Sequence, residues 1–294
     1  MCRLHKERTI MKAKDLKELN APPKILLHGD SSNGKTALIS QLSNAYLMDL
    51  DGGMLTALSL KDDFSKYRQT IEFDIFKDKS FKNPQGWNTF YAKLLGISEA
   101  VHSKKWKYDA LCIDSMTGIA QVIKHFVMFS KTGNALAEPE RNHWGMMVNC
   151  MESVCSIIMT LDIPVFLTAH DCTVITDDDV TYKVLGITKN HGEKIPWMFD
   201  EVWLAQIKKK GQTRCFTISG IGTASRLAKT RMNLGKDVDH TEIGLPGIFD
   251  LIGYKYDFDK PFRAEEVKEI VEETKVEETK EVIKPSSANN LLAK

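Results

Sequence analysis

The segment KILLHGDSSNGKTALI, residues 24–39, constrains the fold more than any other part of the chain. Its apolar run predicts a buried strand, and the residues after its second glycine have helical spacing, which we extend to residue 45. Residues 29–36 fit the pattern G-x-x-x-x-G-K-[ST] in full. Glycines let the backbone wrap so that its N–H groups point inward at an anion, and the following helix aims its positive end at the same place. The segment therefore predicts a phosphate-binding loop between a strand and a helix.

Different residues of this loop are predicted to contact the phosphates and the metal ion of a nucleotide. Lys35 would reach the β- and γ-phosphates, and the Thr36 hydroxyl would ligate Mg²⁺. ATP and Mg²⁺ are therefore the predicted cofactors. An ordinary glycine-rich turn is the alternative, but it would not need to lie between a strand and a helix. The residues assigned to the nucleotide are Gly29, Asp30, Ser31, Ser32, Asn33, Gly34, Lys35 and Thr36.

Two acidic segments supply candidates for the chemistry at the phosphates. The run YDALCIDS ends an apolar strand on Asp114, which would bring one carboxylate to the metal side of the phosphates. The run YLMDLDGG carries Asp49 and Asp51, and either carboxylate could act as the general base that orients the attacking water. Asp51, next to two glycines, is the preferred base. A solvated turn is the alternative, because Asp-Gly is common in turns.

A histidine and two basic clusters later in the chain are candidates for contact with the γ-phosphate, with nucleic acid or with a neighbouring subunit. His170 ends the strand pattern IPVFLTAH, where it would sense the γ-phosphate through a hydrogen bond, although strand-end histidines are often simply at the surface. Basic clusters occur at 208–210 and in SRLAKTR, residues 225–231, and can contact a nucleic-acid backbone or a neighbouring subunit's nucleotide. If the second cluster is a strand, Lys229 and Arg231 share one face.

Alternating strand and helix patterns organise the chain up to about residue 170. They predict an α/β fold, a mostly parallel central sheet flanked by helices. Shorter alternating runs follow, two of them separated by KKKGQ, and they predict antiparallel β-hairpins at one edge of the sheet. From about Ala264 the chain is low in complexity and contains VEETK twice in succession. We predict an extension over 1–21, one domain over 22–260 and a charged tail over 261–294.

Charge and hydropathy limit the partners and the location. The chain has 40 basic and 39 acidic residues, so no overall field would hold it on a polyanion, and any such site must be a local patch. It has no run of 18 apolar residues, which argues against a membrane span. The six cysteines show no C-x-x-C pair and read as free thiols in a reducing compartment. We expect a soluble protein in the cytoplasm.

The order of the motifs GDSSNGKT, YLMDLDGG, YDALCIDS, VFLTAH and LAKTR resembles that of RecA-like P-loop ATPases. The resemblance covers residues 22–235 and is strongest to the phage single-domain Sak group, which acts in recombination as single-strand annealing proteins. It implies an extra strand between the phosphate-loop strand and the Asp114 strand. It also implies assembly of identical subunits into a ring or filament in the host cytoplasm.

The same resemblance assigns roles to individual residues. Lys35, Asp51 and His170 would be catalytic, and the Lys229 and Arg231 pair resembles fingers that reach a neighbour's γ-phosphate. These ATPases usually have a glutamate where this chain has Asp51, whose side chain is one methylene shorter, so we expect slow hydrolysis.

DNA contact in these ATPases comes from loops that correspond here to about 131–145 and 171–196. The second loop contains Lys183, Lys189, His191 and Lys194. The implied function is ATP-dependent recombination with single-stranded DNA as a partner, and the tail would recruit a protein, such as a single-strand binding protein.

Two alternatives remain open. A small-molecule or nucleotide kinase would use the same loop, but it needs a lid with arginines, and only Arg141 lies between Asp114 and His170. A nucleotide-gated regulatory scaffold would bind ATP without contacting DNA.

Overall fold

The computed structural model describes residues 22–175, 181–187 and 189–259, and these belong to one sheet with its flanking helices. The strands, numbered in chain order, are β1 (Lys24–Gly29), β2 (Ala45–Asp49), β3 (Glu72–Ile75), β4 (Ala110–Asp114), β5 (Val165–Ile175), β6 (Thr181–Leu185), β7 (Glu201–Lys210), β8 (Thr213–Ser219) and β9 (Val238–Asp239). The helices are α1 (Lys35–Ile39), α2 (Met54–Leu58), α3 (Ser65–Arg68), α4 (Gly86–His102), α5 (Met116–Thr132), α6 (Arg141–Thr160), α7 (Lys189–Lys194), a 3₁₀ helix (Ile195–Met198) and α8 (Gly244–Ile252). The predicted extension over 1–21 and tail over 261–294 lie outside the described residues.

The strand order is β3-β2-β4-β5-β1-β7-β8-β9, with β6 paired to β5. Neighbouring strands from β3 to β7 run parallel, whereas β7–β8, β8–β9 and β5–β6 are antiparallel. A mostly parallel sheet with antiparallel hairpins confirms the predicted fold class. Strand β5 lies between β1 and β4, so the extra strand that the resemblance implies is present.

Both faces of the sheet are buried, which explains the nearly continuous apolar runs of its strands. Successive side chains of a strand point to opposite faces. Leu26 of β1 therefore packs into a core formed with α4, α5 and α6, and Leu27 packs into a second core with α1, α2 and α8. The helices thus cover both faces and leave the carboxyl ends of the parallel strands to the loops.

Helix α1 is shorter than the predicted helix over 35–45, which was wrong after Ile39. The Ser40 hydroxyl donates a hydrogen bond to the Ala37 carbonyl at 2.9 Å, and Asn44 adopts the left-handed conformation with φ 50°. Serine and asparagine side chains compete with the helical hydrogen-bond ladder, and asparagine tolerates the left-handed region. The chain turns there and enters β2 directly.

The segment around Lys229 is a loop with a single bridge, so the expected strand is also wrong. Lys229 exchanges two backbone hydrogen bonds of 2.9 Å with Val202 of β7. The pairing stops after this residue because the buried carboxylate of Glu201 accepts the backbone N–H groups of Arg231 and Met232, at 2.5 and 2.9 Å.

Among the described residues, no helix is long and apolar enough to cross a membrane. The five described cysteines, Cys112, Cys150, Cys155, Cys172 and Cys215, are free thiols. Cys2 lies outside the described part of the chain.

Candidate functional site

The phosphate loop connects β1 to α1 and depends on glycine at both of its ends. Gly29 has φ 151°, and a Cβ at this position would lie 2.3 Å from the Ala205 carbonyl oxygen of β7. Gly34 is left-handed with φ 76°, and a Cβ there would lie 3.0 Å from the Phe216 ring. A larger residue at either end would push the loop away from the β7–β8 hairpin. Asn33 strengthens this contact, because its side-chain amide donates to the Ala205 carbonyl at 3.0 Å.

The Lys35 side chain is buried against the loop and uses all three of its N–H donors. Its Nζ lies 3.0 Å from the Gly29 carbonyl oxygen, 2.8 Å from the Asp30 carbonyl oxygen and 3.3 Å from His170 Nδ1. Burial lowers the pKa of Lys35, and the Asp114 and Asp171 carboxylates oppose this change. The lysine of the loop and His170 of β5, 135 residues apart, are therefore in contact.

His170 links Lys35 to Asp51. Since an ammonium group can only donate, His170 Nδ1 accepts the hydrogen bond from Lys35. The Nε2–H then donates to Asp51 Oδ2 at 2.9 Å, which defines the neutral tautomer. The backbone N–H of His170 donates to Thr117 Oγ1 at 3.0 Å and holds β5 in place at this residue. The sequence predicted that the strand ends at His170, but residues 171–175 continue it and pair with β6.

The two carboxylates of YLMDLDGG have different environments. Asp49 is fully buried, and its oxygens accept the backbone N–H groups of Gly52 and Met54 at 2.5 and 3.2 Å, so it organises the turn. Asp51 is partly exposed and accepts from His170 and, at 2.7 Å, from the Ser115 hydroxyl. Burial favours its protonated form, but the hydrogen bonds from His170 and Ser115 outweigh burial and hold the pKa of Asp51 below its usual value. This geometry favours Asp51 over Asp49 as the base.

The predicted metal ligands are in direct contact. The Thr36 hydroxyl donates to Asp114 Oδ2 at 2.7 Å, and the Thr168 hydroxyl donates to the other oxygen, Oδ1. Burial raises the pKa of Asp114, and the nearby carboxylate of Asp51 adds to this effect. A Cβ at Gly53 would lie 2.9 Å from Thr36 Oγ1 and 3.1 Å from Asp114 Oδ2, so glycine keeps the space beside them open. A hydroxyl and a carboxylate with open space beside them are oxygen donors that suit Mg²⁺.

A cluster of charges that the sequence did not predict ties the loop to more distant segments. The Asp30 carboxylate pairs with Lys183 of β6 and, at 2.7 Å, with the Arg226 guanidinium. Burial works against ionisation of Asp30, but its hydrogen bonds to Lys183 and Arg226 hold its pKa below the usual value. The Lys183 backbone N–H also donates to the Ser225 carbonyl at 2.8 Å. The β5–β6 hairpin and the 222–231 segment thus meet at the phosphate loop.

Lys229 and Arg231 lie beside the amino end of β7, on the side of the sheet away from the phosphate loop. Lys229 is bridged to Val202, which is in register with Leu26, three residues and about 10 Å along β1 before Gly29. The Lys229 Nζ donates to the Trp197 carbonyl at 3.1 Å, and Arg231, with 74% of its side chain exposed, lies 2.5 Å from the Asp200 carboxylate. The structure does not bring this pair to the phosphate loop of its own subunit.

The predicted DNA loop over 171–196 is only partly described. Residues 176–180 and 188 lie outside the described residues, as do the side chains of Lys189 and His191. The lysine triplet Lys208, Lys209 and Lys210 was expected at the hairpin turn, but it forms the last three residues of β7 and pairs with β8, which leaves the turn to residues 211–212. Lys208 pairs with Asp237 at 2.5 Å.

Three site residues were missed from the sequence: Ser115, Thr117 and Thr168. Thr168 could have been found, because it is two residues before His170 on β5 and therefore points to the same face. Ser115 and Thr117 belong to the turn from β4 into α5, where the Ser115 hydroxyl also accepts the Gly118 N–H at 3.1 Å and caps the helix. The hydrogen bonds of these two residues with Asp51 and His170 depend on the geometry of this turn, which no sequence pattern predicts.

Comparisons with known proteins identify the family to which the chain belongs. A family model described as AAA domain matches residues 21–238, a range that includes every candidate site residue above. No curated protein gives a significant match to the chain. One solved structure that matches is a KaiC-like protein from the hyperthermophilic archaeon Pyrococcus horikoshii, with a TM-score of 0.40 and 13% sequence identity. The match covers 71% of this chain and 82% of that one.

Proposed function

Because the chain belongs to the AAA domain family, we propose that its phosphate loop binds ATP with Mg²⁺ and that the site hydrolyses it. One observation carries this proposal: Lys35, His170 and Asp51 form a continuous hydrogen-bonded chain beside the Thr36–Asp114 pair. These residues come from strands β4 and β5, from the turn directly after β2 and from the start of helix α1, and they meet at the carboxyl edge of the parallel strands. This edge is where open α/β sheets bind ligands.

In the proposed mechanism the loop N–H groups and the Lys35 ammonium hold the phosphates. Thr36 and Asp114 would hold Mg²⁺, which when bound neutralises charge on the phosphate oxygens. Asp51 accepts a hydrogen bond from the attacking water and orients it, and the lowered pKa keeps this carboxylate ionised near neutral pH. A carboxylate held by two donors is a weak base, so we propose that hydrolysis is slow without a stimulating partner.

His170 would report the presence of the γ-phosphate. If the Lys35 ammonium turns from His170 toward a phosphate, His170 Nδ1 loses its hydrogen-bond donor. The hydrogen bond from His170 Nε2 to Asp51 then changes as well. The strand that carries His170 continues into the β5–β6 hairpin, and the His170 carbonyl accepts the Gly186 N–H at 2.6 Å. This contact provides a route from the nucleotide to the hairpin.

We further propose that the protein acts in phage DNA recombination and binds single-stranded DNA as a ring or filament of identical subunits. The resemblance to the Sak group supports this function, and the connection between the phosphate loop and the hairpin gives it a physical basis. Lys229 and Arg231 lie away from their own phosphate loop, so the proposal assigns them to the nucleotide of a neighbouring subunit. The host cytoplasm is the proposed location, and the tail is proposed to recruit a protein partner.

Titrating labelled single-stranded DNA with the protein, with and without a slowly hydrolysed ATP analogue, tests the DNA proposal. We expect the analogue to tighten binding at least tenfold at moderate salt, because a nucleotide that fixes the position of the hairpin before DNA binds lowers the cost of binding. Salt must be held constant, since phosphate contacts make affinity depend steeply on it. The Lys35→Met variant is the control and should lose the effect of the analogue. Absence of binding under both conditions would refute the proposal.

A further inference from the structure

His28, the residue before the phosphate loop, is held in an unusual way for a buried side chain. Only 5% of it is exposed, and both ring nitrogens meet oxygen acceptors. Its Nδ1 lies 2.8 Å from Asp171 Oδ1, and its Nε2 lies 2.6 Å from the Leu227 carbonyl oxygen. The proposed mechanism above does not use this residue.

Both ring nitrogens are used in these contacts. A carbonyl oxygen can only accept, so Nε2 carries a proton and donates it to Leu227. The distance of 2.8 Å between Nδ1 and Asp171 Oδ1 is that of a second hydrogen bond. The Asp171 side chain is 1% exposed, and its Oδ2 has no hydrogen-bond partner within the described residues, so the contact with His28 holds this buried carboxyl group.

Each contact of His28 belongs to a different part of the site. His28 itself directly precedes Gly29 of the phosphate loop. Asp171 directly follows His170, and Leu227 directly follows Arg226, which pairs with Asp30. One ring therefore ties the start of the loop to the strand that carries His170 and to the 222–231 segment.

We propose that His28 is a positioning residue, whose ring sets the phosphate loop relative to His170 and the 222–231 segment. The catalytic part of this role rests on the proposed ATPase function, whereas the structural link does not. Removing the ring leaves the buried Asp171 carboxyl group without its hydrogen bond to His28 and the Leu227 carbonyl without its donor. Both would move toward water, and the loop would lose its alignment with His170.

A second buried histidine–aspartate pair provides a matched control. His125 Nδ1 lies 2.7 Å from Asp78 Oδ2, and the two side chains are 8% and 2% exposed. The Asp78 carboxylate accepts the Gly86 N–H at the start of α4, so this pair holds a helix and not the phosphate loop. Replacing His125 also removes a buried ring from an aspartate, and it separates general loss of stability from loss of alignment.

The experiment compares wild type, His28→Gln, Asp171→Asn and His125→Gln by amide hydrogen exchange without nucleotide. The informative amides are Lys183, Thr223 and Lys229, whose hydrogen bonds hold the hairpin and the 222–231 segment. We expect His28→Gln and Asp171→Asn to speed their exchange at least tenfold and His125→Gln to leave it unchanged. Unchanged exchange in both site variants, or equal acceleration in all three, would overturn the proposal. If His28→Gln does not fold, Asp171→Asn decides.

One further measurement tests the effect on the chemistry. For ATP turnover, misalignment should lower kcat roughly 10- to 100-fold in His28→Gln while the affinity for an ATP analogue changes less than threefold. A wild type that does not bind ATP would refute the proposed function, and the exchange result would still decide the structural link.

Discussion

Replacing Lys35 by methionine is expected to weaken ATP binding roughly 100-fold, because charge-assisted hydrogen bonds to the phosphates are lost. Methionine keeps the length and the apolar stem of the buried side chain, so the loop should still fold. In the structure the Lys35 ammonium bonds only to the loop carbonyls and to His170. These three groups can release it to a phosphate without leaving a buried charge unpaired. Titration calorimetry with a slowly hydrolysed ATP analogue measures the change.

Lys24 provides the matched control for this variant. Lys24 is also a buried lysine, but it is the first residue of β1, at the end of this strand opposite the phosphate loop, and its Nζ donates to the Ile163 carbonyl at 2.7 Å. The Lys24→Met variant should lose some thermal stability and bind the analogue with wild-type affinity. Normal binding by Lys35→Met would show that the nucleotide site is elsewhere.

Replacing Asp51 by asparagine is expected to lower ATP turnover about 100-fold or more while ATP binding is retained. The amide keeps the shape of the side chain and its hydrogen bonds, but it cannot take a proton from the attacking water. The Asp51→Glu variant should instead hydrolyse ATP faster than wild type, because the longer side chain carries the carboxylate closer to the γ-phosphate. Steady-state phosphate release at saturating ATP measures both effects.

Asp49→Asn tests whether the correct carboxylate has been assigned. Asp49 accepts two backbone N–H groups in the turn, so its loss should lower the melting temperature. Turnover per folded molecule should stay within a few-fold of wild type. If Asp49→Asn abolishes turnover and Asp51→Asn does not, Asp49 is the base and the assignment is wrong.

The sequence was sufficient for the features that depend on local patterns. The glycines and Lys35 mark the phosphate loop, and apolar strands that end on Asp114 and His170 predict a parallel sheet with polar groups at one edge. Parallel strands bring their carboxyl ends together, so the neighbourhood of Asp51, Asp114 and His170 follows from the topology. The boundary of α1 did not follow, because Ser40 and Asn44 favour a turn over the helical periodicity of the segment.

The contacts that connect the phosphate loop with the rest of the molecule could not be predicted. His28 meets groups 143 and 199 residues away, and Asp30 meets Lys183 and Arg226 at 153 and 196 residues. Most of these partners lie outside regular parallel pairing, on a hairpin and on a loop. No periodic pattern specifies which side chain of a loop turns toward a strand end, so these contacts appear only in three dimensions.

The most direct test is the ATPase rate of the wild-type protein with and without single-stranded DNA, at one fixed salt concentration. We predict slow hydrolysis that requires Mg²⁺ and rises at least fivefold when DNA is added. A rate that is measurable but indifferent to DNA would contradict the recombination proposal and leave the ATPase. Absence of both ATP binding and hydrolysis would contradict the central claim that these residues form an ATPase site.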